Sequence, residues 1–151
     1  MNIFVLDENP TVSAAYHCDK HVPKMILESA QMLSTVLGGP YKPTHQNHPC
    51  TAWAGRTKAN AFWLYSLTMG LDHEYRTRFG KEYSHKSAVV VAKMFNDGLL
   101  NQLPRGGLTP FALAMPEEYK TDDPVESYRA YYRSKTFAKW DRADEPQWWR
   151  A

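Results

Sequence analysis

Apolar positions recur along this chain with a helical period, and the residues between them mark where each helix begins and ends. Ile3-Phe4-Val5-Leu6 comes first, a short apolar run that reads either as a strand or as an extended arm packed on the body. Asn9-Pro10 is a helix start, with asparagine able to cap and proline suited to the first helical position, and predicts a short helix to Cys18. Asp19 reads as a second cap, and Pro23 fits only a first turn or a kink. That second helix continues to Leu37, where Gly38-Gly39-Pro40 ends it. After a loop over 40–49, Pro49 opens another helical stretch, with Trp53, Phe62, Trp63, Tyr65, Leu67 and Leu71 forming a buried stripe to about Gly80. Gly55 separates a short first piece from the rest. Ser84 reads as the cap of a helix through Phe95, closed by Asp97-Gly98. Residues 101–121 are broken by Pro104, Gly106-Gly107, Pro110 and Pro116 and read as irregular. Asp122-Asp123-Pro124 starts a last helix through Tyr131. The pattern predicts a mainly α, compact single-domain helical bundle over 1–151 with an N-terminal extended arm.

Composition adds bounds. At 151 residues, 43% hydrophobic and 23% charged, the chain has the size and balance of one globular domain and is unlike a disordered one. Eighteen Lys and Arg against 16 Asp and Glu argue neither for nor against a polyanionic partner. Their placement says more, because basic residues near the C-terminus interleave with aromatics. No apolar run approaches the roughly 18 residues of a membrane span. The N-terminus lacks the basic flank and longer apolar core of a signal peptide. Cys18 and Cys50 do not make a disulfide framework. The expectation is a cytoplasmic protein with reduced thiols and no membrane partner.

The segment Asp19-Lys20-His21-Val22-Pro23-Lys24-Met25-Ile26-Leu27-Glu28 carries the densest chemistry. His21 and Glu28 are seven residues apart, hence on one helix face two turns along, and Lys24 shares that stripe. A glutamate among apolar positions, flanked by His and Lys, suits proton transfer. The plainer alternative is an i,i+4 ion pair between Lys24 and Glu28 on a solvated face. The chain also begins directly at structure, with nothing before Ile3 that reads as a disordered leader. α-Amino groups as a class titrate close enough to neutrality to leave a useful fraction as free amine. Held beside a carboxylate, such an amine can attack a sugar carbon and pass through a Schiff base.

Two further constellations carry alternatives. Cys18 and His21 form a C-x-x-H pair, and His45, His48 and Cys50 stand close together, so thiolate and imidazole could build a tetrahedral zinc site. No C-x-x-C accompanies them, and the balance falls on no metal and no cofactor. Tyr128-Arg129-Ala130-Tyr131-Tyr132-Arg133-Ser134-Lys135 alternates rings with cations, as segments that stack on bases and contact phosphates do. It can equally be an amphipathic helix with tyrosines inward and cations in water. Trp140, Trp148 and Trp149 read as fastening the tail to the body.

Asp19, His21 and Glu28, with His48 opening a helical stretch that ends in Glu74-Tyr75-Arg76-Thr77-Arg78-Phe79-Gly80 and an aromatic, basic C-terminal end, resemble the pyrimidine-dimer DNA glycosylase family of the endonuclease V type. The resemblance covers the first half in register and the last third in character. It implies a compact helical domain whose N-terminal arm threads between helices. It also implies a base-excision glycosylase in which a terminal amine, here that of Met1, attacks the deoxyribose anomeric carbon. In that chemistry Glu28 assists and then drives β-elimination beside His21. Asn2 is bulky enough to keep Met1 in place. The expected partner is DNA, met by a monomer through Asn2, Lys20, Lys24, His48, Arg129, Tyr131, Tyr132, Arg133 and Lys135. The rivals are a zinc-dependent hydrolase or nuclease using His17, His21, His45, His48 and Cys50, and a nucleic-acid-binding protein without catalysis in which Glu28 is structural.

Overall fold

A computed structural model describes residues 1–151. Six α-helices carry the architecture: α1 Pro10–Tyr16, α2 His21–Leu37, α3 Pro49–Ala54, α4 Lys58–Phe79, α5 Lys86–Asn96 and α6 Pro124–Arg133. Short 3₁₀ turns lie at Leu99–Gln102, Glu117–Tyr119 and Gln147–Arg150, and there is no strand. The protein is all-helical, and Ile3 to Leu6 is a buried extended arm.

Local chemistry explains most boundaries. Asn9 accepts from the Thr11 and Val12 amides ahead of Pro10, Thr57 accepts from the Asn60 amide, and Asp123 accepts from the Val125 amide ahead of Pro124. α2 and α4 both end on left-handed glycines, Gly38 at φ +70° and Gly80 at φ +60°. α5 and α6 run one and two residues past the expected Phe95 and Tyr131, and three other boundaries differ for a local reason. α1 stops at Tyr16 because the chain is extended at His17. α2 has no side-chain cap, since the Asp19 carboxylate accepts from Arg78 and from the Asp141 amide instead. At α5 the cap is His85, not Ser84; its ring accepts from the Ser87 amide while Asp72 accepts the His85 amide at 2.7 Å.

α1 and α2 pack most extensively on the long α4, and α5 packs on α2 and, less extensively, on α4. At the α1–α4 crossing Gly70 permits the close approach, because a Cβ there would sit 2.8 Å from the Ala14 Cβ. Trp53, Trp63, Leu67 and Leu71 are buried as their spacing predicts, but Tyr65 is only half-buried and Phe62 is 54% exposed. It lies on the outer face of α4, stacked with Tyr65, which stacks in turn on Phe95. The tail is fastened by Trp140, whose indole donates to the Tyr16 carbonyl, and by the Lys139 carbonyl, which accepts from the Asp19 amide.

Arg78 joins these parts. Its side chain is 2% exposed; it donates to Glu74, to Asp19, and to the Ala15 and His17 carbonyls left open at the end of α1. Arg78→Met strands two carboxylates and two carbonyls, so unfolding free energy from urea titration should fall by about 3–5 kcal/mol. Arg76→Met, on the exposed face of the same turn, should stay within about 0.5 kcal/mol. Equal effects from the two substitutions would contradict this role for Arg78.

Candidate active site

The arm brings the N-terminus to the side of α2. Asn2 fixes it there: its amide nitrogen donates to the Ala114 carbonyl at 2.9 Å, and its Oδ1 accepts from the Ile3 amide at 2.8 Å and from the Cys50 thiol at 3.4 Å. The Tyr128 hydroxyl beside it donates to the Ala112 carbonyl and accepts from the Ala114 amide, which locks the 112–114 segment that holds Asn2. With residue 2 anchored, the chain start is aimed at Glu28. The Met1 amine stands 3.4 Å from Glu28 Oε1, and the Asn2 backbone amide donates to the same oxygen at 3.0 Å. Lys24, one turn earlier on α2, approaches the other oxygen at 4.0 Å. The Glu28 side chain retains only 13% of its exposure.

Around this group is a cleft of about 200 Å³, walled by Asn2, Phe4, His21, Tyr131, Lys135 and Phe137 among others. Phe4 stacks on the His21 ring at 4.7 Å. Lys135 has no carboxylate partner and lies over the rings of Tyr131 at 4.2 Å and Phe4 at 5.2 Å, while Lys20 lies over Phe137 at 4.9 Å. Met1, Asn2, His21, Lys24, Glu28, Tyr131 and Lys135 therefore meet in one place, with Lys20 at the rim. His48 caps α3 behind the cleft, its ring accepting from the Cys50 amide. Its pKa is lowered by burial first and by the Met1 amine next, which places it within electrostatic reach.

Besides His48, three residues expected to touch DNA lie outside the cleft. Tyr132 is completely buried, so its reading as a base-stacking ring is corrected. Arg129 donates to the Leu6 carbonyl at 2.9 Å and pairs with Asp7 and Glu126, away from the cleft. Arg133 donates to the Trp148 carbonyl and lies over that indole. Asn2 does line the cleft, but its side chain is engaged by the protein and is not free for a ligand. The zinc alternative also loses its geometry: no three or more His, Cys, Asp or Glu residues are gathered as metal ligands. Cys18 and Cys50 are both buried, and burial pushes the Cys50 thiol up. What sequence reasoning missed is the anchoring role of Cys50, Tyr128 and Ala114, each bonded to Asn2 across more than 40 positions of chain, which leaves no periodic signal.

Of three larger cavities none competes for the same chemistry; one, of about 270 Å³, is walled by Asp7, Glu8, Asp123, Glu126 and Arg129. Two are larger still. One, of about 660 Å³, is acidic, with Glu74, Asp144 and Glu145 in its wall. The other, of about 580 Å³, is an open groove beside Leu27, Gln31 and Tyr41 that contains no carboxylate and no imidazole.

His17 and His21 are both held neutral. Burial lowers His17 to about 4, opposed by its hydrogen bond to the Ser13 carbonyl and helped by Arg78. Burial, then His17, Lys135, Lys24 and Lys20, lower His21 to about 2. In the unfolded chain both titrate near 6.5. Below that pH the unfolded state binds protons that the native state refuses, so stability is complete above about 6.5 and falls as pH drops toward 4. Between pH 6.5 and 5, where most carboxylates are still ionised, each imidazole should remove about 1.5 kcal/mol. Urea titrations across that window should show the loss in the wild type and about half of it in His17→Gln. A flat profile would mean that the rings are not buried as neutral groups.

Compared with protein-family models, with curated proteins and with solved structures, the chain gives no match.

Proposed function

We propose that the protein is a DNA glycosylase with abasic-site lyase activity, in which the Met1 amine is the nucleophile and Glu28 the proton acceptor. The observation that carries this reading is the shared contact of the Met1 amine and the Asn2 amide with Glu28 Oε1, beside a basic cleft. A carboxylate 3.4 Å from an amine can take its proton and leave a lone pair facing the cleft. The amine attacks C1′ of a deoxyribose, and the bond from C1′ to the base breaks, the base leaving with the electron pair and gaining a proton. Opening of the sugar ring, with a proton to its oxygen, gives the iminium. Removal of a C2′ proton then drives out the 3′ phosphate with the C3′–O pair, and water hydrolyses the imine to restore the amine. Reaching C1′ requires the nucleotide to leave the base stack.

Charge is divided by face. Lys20, Lys24 and Lys135 surround the cleft, whereas Asp7, Glu8, Asp123 and Glu126 share a cavity near Arg129 and three further acids line the 660 Å³ one. A polyanion is attracted to the first face and repelled by the others, although net charge is only +2. One observation favours a second reading, a DNA-binding protein without chemistry: Glu28 also satisfies the Asn2 amide and so has a structural reason to be there.

Glu28→Gln separates the two readings. The amide oxygen can still accept from Asn2, so folding and DNA affinity should persist, while turnover falls about 10²-fold or more. In wild type, borohydride should trap a covalent adduct with abasic duplex DNA, and mass analysis should place it on the N-terminal peptide. No adduct, or one on an internal lysine, defeats the Met1 mechanism.

Affinity against salt tests the basic face. Lys20→Ala, Lys24→Ala and Lys135→Ala should each weaken binding to all sequences alike and reduce the log–log salt slope by about one unit. Arg129→Ala should leave the slope unchanged and lower the melting temperature, because its partners are within the protein. The reverse pattern would move the DNA to the other face.

A further inference from the structure

His17 and His21 are neighbouring buried imidazoles whose bonded nitrogens have different partners. His17 Nδ1 lies 2.7 Å from the Ser13 carbonyl, which can only accept, so the proton is on Nδ1; its Nε2 is sealed from solvent and unpartnered. His21 Nδ1 lies 2.9 Å from the Tyr132 hydroxyl. That hydroxyl already accepts from the Cys18 amide at 2.9 Å, and His21 Nδ1 at 2.9 Å is the stronger acceptor for its own proton, the Cys18 thiol beside the phenol being a weak one. A completely buried phenol must place that proton on a partner. The Tyr132 hydrogen therefore points at His21 Nδ1, and the imidazole carries its hydrogen on Nε2. Unlike the Nε2 of His17, that of His21 is not sealed, and the ring forms part of the cleft wall with Met1 and Glu28.

We propose that Tyr132 is a positioning residue that holds His21 as its neutral Nε2–H tautomer, so that the imidazole offers the cleft a fixed hydrogen-bond donor rather than a base. The catalytic part of this inference rests on the glycosylase–lyase reading; the tautomer does not. A fixed donor suits a substrate oxygen that gains negative charge as a bond to it breaks, such as a sugar ring oxygen or a departing phosphate. The surroundings maintain the neutral state from every side. His21 is the first residue of α2, where the helix end is positive. His17, Lys20, Lys24 and Lys135 add like charge or potential for it, and the Met1 amine lies in the same cleft, whose one carboxylate is Glu28. The opposing phenol is itself held protonated, burial pushing its pKa well up. A neutral imidazole kept as donor by its neighbours is a known solution for an electrophilic role.

Nitrogen-15 imidazole spectra of the full chain test the tautomer directly. His21 should show a protonated Nε2 and an accepting Nδ1 from about pH 5 to 8, without titrating. A protonated Nδ1, or titration of His21 in that range, overturns the proposal whatever the activity. Strand cleavage of abasic duplex DNA tests the donor. Glutamine can place an N–H near the Nε2 position and asparagine cannot, so His21→Gln should retain kcat within about tenfold while His21→Asn loses about 10²-fold. Tyr132→Phe should lower kcat about tenfold or more with little change in KM and give a mixed tautomer in the spectrum. Equal losses in His21→Gln and His21→Asn would remove the donor role, leaving a purely structural ring. A wild type that cleaves no abasic DNA would defeat the glycosylase–lyase reading and the catalytic role with it, while the spectrum still decides the tautomer.

Discussion

A buried extended segment without a sheet must find partners for its backbone among side chains, and that requirement organises this molecule. Residues Asn2 to Leu6 run through the helices with none of them more than 9% exposed. The Asn2 amide goes to Glu28, the Ile3 amide to the Asn2 side chain and the Leu6 amide to Ser13. The Phe4 carbonyl accepts from the Ser13 hydroxyl and the Leu6 carbonyl from Arg129. Apart from the Asn2 side chain, which belongs to the arm, the partners Ser13, Glu28 and Arg129 sit on α1, α2 and α6, so these three helices are held in mutual position by the strip of chain between them. Removing any one leaves an unpaired group in the interior, at about 1–3 kcal/mol.

The same constraint explains why much of the fold and only part of the site was legible in the sequence. Helix boundaries depend on residues a few positions away, and Asn9-Pro10, Gly38, Gly80 and Asp123-Pro124 all act where their chemistry says they should. Glu28, Lys24 and His21 share a face because seven residues make two turns, and that face is the one turned to the cleft. What spacing cannot convey is how an amphipathic stripe is rotated in the assembled protein. Tyr131 and Tyr132 are adjacent in sequence, yet one faces the cleft and the other is sealed against Cys18 and His21. Arg129 looked like a phosphate contact because cations usually face water; here an arm carbonyl required a donor. Phe62 looked like core because aromatics usually are, but the stripe on α4 is narrower than the run of rings.

Asn2 shows how a residue with little signal in one sequence can set a geometry. A small second residue would leave the terminus free to swing. Here the amide side chain joins Ala114 and Cys50, so the first peptide unit has one orientation. The Met1 amine is then presented to Glu28 without any contact made by the amine itself beyond the carboxylate. An amine held by its neighbour's side chain, and not by hydrogen bonds of its own beyond the carboxylate, has little freedom left to lose.

The chemistry and the stability of the cleft pull in opposite directions. An amine and three lysines near one carboxylate is an arrangement with surplus positive charge, unfavourable for the isolated protein and relieved when an anion enters. The two imidazoles add no further charge because burial holds them neutral through the range in which free histidines titrate. If they ionised, two further buried charges would stand in a site already rich in cations, one of them on the ring stacked against Phe4. Neutral imidazoles therefore let the cleft concentrate positive charge on its lysines and keep it away from the packed rings beside the Met1 amine.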